Sequence, residues 1–135
     1  MSALTRDRAT SYREGIEVEF PVAAATKIYA GSMVCINAGG YAVPAADTGG
    51  YRFGGVALEQ VDNSAGADGV ELIRLRRSGV FEFDAAALSQ ARVGDAMYAV
   101  DDQTFADTSG ATNHIKVGTL VKYVSASKGW IDIAR

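Results

Sequence analysis

The stretch "LIRLRRSGVFEFD", Leu72–Asp84, decides how the rest of the chain is read. Three arginines crowd its centre, as in a patch that grips phosphates. Its apolar residues also recur at every second position, as in strands with one buried face. Ile73, Leu75, Phe81 and Phe83 share one parity; Arg74, Arg76, Ser78, Glu82 and Asp84 share the other. Arg77 and Gly79 fall on the apolar parity and Val80 on the polar one. A bulge or break at Arg77–Ser78–Gly79 accounts for the slip, because glycine takes backbone angles that other residues avoid. On this reading Arg74, Arg76, Glu82 and Asp84 are two ends of one solvated face. Carboxylates in line with cations are poor partners for phosphate, so a charged outer sheet face is expected, with no direct nucleic-acid contact. A mixed-sign face rich in arginine also suits a polar contact with another protein.

The same alternation recurs on both sides of this stretch. "IEVEF" (Ile16–Phe20) places Ile16, Val18 and Phe20 opposite Glu17 and Glu19. "SMVCIN", "AGG" and "YAVPA" read as a hairpin turning at Gly39–Gly40. "FGGVALEQV" reads as a strand, followed by the loop "DNSAGADG" (Asp62–Gly69). "GDAMYAVDD" and "TFAD" pair around Asp102–Gln103, and "IKVGTLVKYVSA" and "GWIDIA" turn at Ser127–Lys128–Gly129. One short helix is expected over Ala85–Ala91, with Asp84 as its N-cap. Nine or ten short strands at this spacing predict an all-β, mainly antiparallel fold: a small β-barrel or tulip-like sandwich with at most one short helix. Residues 1–14 lack alternation and read as an extended N-terminal arm, leaving 15–135 as the β domain.

At 135 residues the chain has the length of one domain. Its 48% hydrophobic content suffices for a core, and its net charge of −3 does not steer it toward nucleic acid. No apolar run approaches the ~18 residues of a membrane span, and the first residues lack the apolar centre of a secretory signal. Chemical motifs are sparse. Cys35 and His114 are the single cysteine and histidine, so one chain cannot assemble a Cys/His zinc cluster, and neither metal nor cofactor is expected. Asp62–Gly69 departs from the calcium-loop pattern at Ser64, Gly66 and Ala67 and reads as a flexible hairpin loop. "SASK" (Ser125–Lys128) matches S-x-x-K but lies between strands, where serine and lysine do not meet as they do on a helix. No phosphate-cradling glycine loop is present. Tyr41, Tyr51, Phe53, Tyr98, Phe105, Tyr123 and Trp130 could stack bases or sugars, or simply pack on strands.

The stretches "AAATKIYAGSMV", "EQVDNSAGA" and "YAVDDQT" carry a resemblance that runs in order over residues 10 to 135. In them the chain resembles the capsid cement, or head-decoration, proteins of tailed bacteriophages. The resemblance implies a β-rich domain on the outside of an expanded head, bound to the major capsid protein. It implies a homo-oligomer, commonly a trimer, made in the host cytoplasm and carried on the virion exterior. It supplies no catalytic residue. The arm residues Thr5, Arg6, Arg8, Tyr12 and Arg13 are then candidate anchors for an acidic capsid surface, and Arg74, Arg76, Glu82 and Asp84 a candidate contact face. A β-barrel module for oligonucleotide or oligosaccharide is the alternative, with Arg74, Arg76, Arg77 and the aromatics as its site.

Overall fold

Twelve strands run through the residues described by a computed structural model, which are 3, 5–9 and 16–133. They are β1 (Glu17–Pro21), β2 (Thr26–Ile28), β3 (Met33–Ile36), β4 (Ala42–Pro44), β5 (Arg52–Ala57), β6 (Val61–Asn63), β7 (Leu72–Arg76), β8 (Val80–Ala86), β9 (Ala96–Ala99), β10 (Thr104–Ala106), β11 (Lys116–Ser125) and β12 (Lys128–Asp132). Five form a sheet in the order β1-β7-β5-β3-β4. Five close into a barrel in the order β10-β8-β12-β11-β9, and β2 and β6 pair separately. All strand pairs are antiparallel except β8 with β10. The all-β, mainly antiparallel fold with a barrel is therefore as the alternation predicts.

The decisive stretch breaks where expected, and the break does more than bend a strand. β7 lies in the open sheet and β8 in the barrel, so the chain changes sheet across Arg77–Ser78–Gly79. Gly79 makes the change with φ of +127°, a region L side chains rarely enter. Alternation holds on each strand: Ile73, Leu75 and Phe83 are buried and Arg74, Glu82 and Asp84 exposed. The single solvated face does not hold, because its two ends belong to different sheets.

Two cores follow from this topology. The smaller one packs Val22, Ile28, Val34, Ala42, Ala57, Val61, Ile73 and Leu75 between the open sheet and β2–β6. The larger one packs the sheet's other face, through Met33, Cys35, Val43, Phe53 and Val56, against Phe83, Met97, Phe105, Leu120 and Ile131 of the barrel. β3 and β5 are thus covered on both faces. That is why "MVCI" and "FGGVA" read as continuous apolar runs rather than alternating ones.

Three local expectations are corrected. The helix over Ala85–Ala91 does not form. Ala85 and Ala86 continue β8 and pair with Phe105 and Ala106, so Asp84 is a strand residue and caps nothing. Only a 3₁₀ turn at Gln90–Arg92 follows. Alanine favours helix more than any other residue, but that local bias is small and is outweighed by the pairing that closes the barrel. The loop Asp62–Gly69 does not close a hairpin, because β6 pairs with β2. Nor is it loosely held. Asn63, 2% exposed, donates its Nδ2 to the carbonyls of Val22, Ala23 and Ala67. The Asp68 carboxylate accepts the Ala24 amide at 2.7 Å. The last hairpin turns at Ala126–Ser127, between β11 and β12, one position earlier than expected. By contrast the Gly39–Gly40 hairpin stands as read, with Asn37 Oδ1 accepting the amides of Gly39 and Tyr41 at 3.0 Å.

Candidate interaction surface

The outer face of β1 and β7 is a lattice of opposite charges. Register sets Glu17 opposite Arg76 and Glu19 opposite Arg74. Arg74 Nε donates to Glu59 Oε2 at 2.8 Å, and Arg76 Nη2 lies 3.9 Å from Glu17 Oε2. The Glu59 hydrogen bond, and then its charge, hold the Arg74 guanidinium still more firmly protonated than usual. Exposed pairs of this kind add little to stability, so they set the charge pattern of the face. Two of the three arginines are therefore already answered by carboxylates of their own chain, as a phosphate-gripping patch would not be.

Glu82 and Asp84 stand on the barrel, opposite Trp130 and Lys128 of β12. The proposed contact residues thus form two separate surfaces, Arg74 with Arg76 and Glu82 with Asp84. Among the arm residues, Thr5, Arg6 and Arg8 are exposed. Tyr12 and Arg13 lie outside the described residues.

The aromatics do not form one exposed platform. Phe53 and Phe105 are buried, and Tyr41, Tyr51 and Tyr123 pack on the larger core. Tyr98 meets the His114 ring at 5.0 Å, and Trp130 is half-buried on β12. Among the described residues no cluster of three or more His, Cys, Asp or Glu is placed to hold a metal, and no helix is long and apolar enough to cross a membrane. Ser125 and Ser127 approach each other across the final turn, with Oγ atoms 3.3 Å apart, so S-x-x-K is turn chemistry.

Two features escaped sequence reasoning. One is a groove at the mouth of the smaller core, where Val18, Phe20 and Ile36 are half-buried beneath Arg52 and Arg77. Its signal was present in Arg77, which sits on the apolar parity. The other is a latch between the β4–β5 loop and the loop before β11. The Asp47 carboxylate accepts the amides of Thr112 and Asn113, each at 2.8 Å, and Asn113 Nδ2 donates to the Asp47 carbonyl at 2.9 Å. The Thr112 amide first, then that of Asn113, holds the Asp47 carboxyl below the ordinary carboxylate range.

A lowered folded pKa fixes the sign of the pH effect. The latch contributes fully above the ordinary carboxyl pKa and is lost as pH falls through the lowered folded value. Acid titration followed by amide NMR is expected to shift Thr112 and Asn113 together in that window. In Asp47→Ala the acid step vanishes. Amides that titrate equally in both proteins would contradict this.

No known family model matches the chain, and no curated protein matches it.

Proposed function

We propose that the chain is a non-enzymatic structural protein of a phage virion, which binds the outside of the expanded capsid as an oligomer and cements it. The observation that carries this reading is the ordered resemblance of "AAATKIYAGSMV", "EQVDNSAGA" and "YAVDDQT" to phage cement proteins. The surface chemistry supports a docking role. Arg74 and Arg76 are set among Glu17, Glu19 and Glu59, a mixed-sign pattern that favours a complementary protein face over phosphate.

Cementing is linkage. A protein that binds the closed, mature lattice more tightly than the immature one shifts the population toward the closed form. Linked copies add avidity, because the second and third contacts of one oligomer are intramolecular. The arm residues Thr5, Arg6, Arg8, Tyr12 and Arg13 extend the contact to neighbouring capsid subunits, with the entropic cost of ordering repaid by the area covered.

Co-sedimentation with expanded and unexpanded heads tests the reading. Retention by expanded heads in clear preference is expected, with none on immobilised DNA or glycan. Retention on DNA or glycan without head binding would favour the oligonucleotide or oligosaccharide module instead. Deleting residues 2–14 should leave the melting transition of the β domain in place and weaken head binding at least about tenfold, as loss of several anchors implies. Equal binding by truncated and full-length protein would remove the arm from the mechanism.

A further inference from the structure

We propose that two copies of this chain join head to tail, with Val70, Glu71 and Leu72 of one copy seated on the Arg52–Arg77 groove of the next. The contact deepens the self-association in the reading above and needs no capsid, so the two can fail separately.

The groove holds about 350 Å³. Its floor is the half-buried edge of the smaller core: Val18, Phe20 and Ile36. Ile28 and Val61 of β2 and β6 are buried in the same cluster, but this end stays open. Arg52 stands opposite Ile36 in the β3–β5 register, which puts it on the groove side. Arg77 follows β7 on the parity of Ile73 and Leu75, which face the smaller core. Arg74, Arg76 and Arg92 each have a carboxylate at ion-pair distance. Among the described residues, Arg52 and Arg77 have none. Two unanswered guanidiniums over an apolar floor are a seat for a carboxylate flanked by apolar side chains.

The chain presents that group itself. Val70 and Leu72 are 62% and 50% exposed, and Glu71 between them is exposed and has no cation at ion-pair distance among the described residues. Its backbone is fixed, since the Glu71 carbonyl accepts the Val22 amide at 2.9 Å. The two surfaces lie at opposite ends of β7, which Leu72 opens and Arg77 follows. A strand of this length spans roughly 17 Å, so a chain cannot satisfy its own groove. The contact is between unlike surfaces of two copies, a geometry that closes into rings when the rotation per copy permits.

Light scattering of the full chain across concentration and salt tests the contact. Wild-type protein is expected to self-associate, more weakly at high salt because the charges are exposed. Glu71→Arg alone, and Arg52→Glu with Arg77→Glu, should each weaken self-association at least about tenfold with unchanged melting. Each retains one intact half, and the reversed halves complement each other, so mixing the two should restore the association that neither shows alone. Joining all three changes in one chain should restore association. A monomeric wild type, or folded variants that associate like wild type, would overturn the contact. So would a mixture that stays monomeric. Should either variant fail to fold, Leu72→Ser, which removes an exposed apolar contact without charge reversal, is expected to weaken association, and its wild-type behaviour would equally overturn the proposal.

Discussion

Replacing Phe105 with alanine is expected to lower stability by about 3–5 kcal/mol, the cost of emptying an aromatic site in a core that collapses only partly. Phe105 is 0% exposed and lies at the centre of β10, the shortest strand of the barrel. It faces Ala85 of β8 on one side and Ala99 of β9 on the other. Both neighbours are alanines, so neither can reach into the space a missing ring leaves. β10 also joins the two strands that would otherwise be barrel edges. Domains of this size are stable by about 5–15 kcal/mol in all, so the variant should lose much of its margin. Urea denaturation with a fluorescence readout measures it. A loss below about 1 kcal/mol would mean that the barrel does not depend on this side chain.

The second large effect is expected at Gly55. Its φ of +147° lies where L side chains are strained, and a Cβ built there would sit 2.5 Å from the Arg76 carbonyl oxygen. That oxygen belongs to the backbone of β7, so relief requires moving the strand. Only Val56–Arg76 and Ala57–Leu75 register β5 against β7, so the seam has little to spare. Gly55→Val adds backbone strain of order 1–3 kcal/mol to the separation of this seam. The damage should be local first. Hydrogen exchange is expected to quicken in β1 and β7 before the barrel strands, because β7 and β1 hang on the sheet through β5. Uniform quickening across both cores, or none, would count against this view of the seam.

Strands with one wet face were legible. β1, β7 and β8 alternate because water takes every second side chain, and the turns at Gly39–Gly40 and Asp102–Gln103 were punctuated by residues suited to them. Three features were not. β2 is three residues long, too short for alternation to show, and β6 straddles the end of "FGGVALEQV" and the start of the stretch read as the loop "DNSAGADG". Pairing order is non-local: β7 and β8 are neighbours in sequence yet sit in different sheets, and β8 runs parallel to β10 across an intervening strand. The alanines after Asp84 had no local signal to choose strand over helix; the choice was made by pairing with β10. The same limit applied at the surface. That arginines crowd together at Arg74–Arg77 is plain in sequence, but Glu59 reaches Arg74 from outside the strand pair, and the groove at Arg52 and Arg77 draws on three strands and the link after β7.

β3 has one further consequence. Met33 and Cys35 enter the larger core and Val34 the smaller, from one stretch of backbone. A displacement of that backbone is felt in both cores at once, whereas opening of the β5–β7 seam leaves it in place. Heat should therefore melt the described residues in a single calorimetric transition, and force entering on the groove side is passed straight through to the barrel. A unit built this way answers a load on β3 as one body.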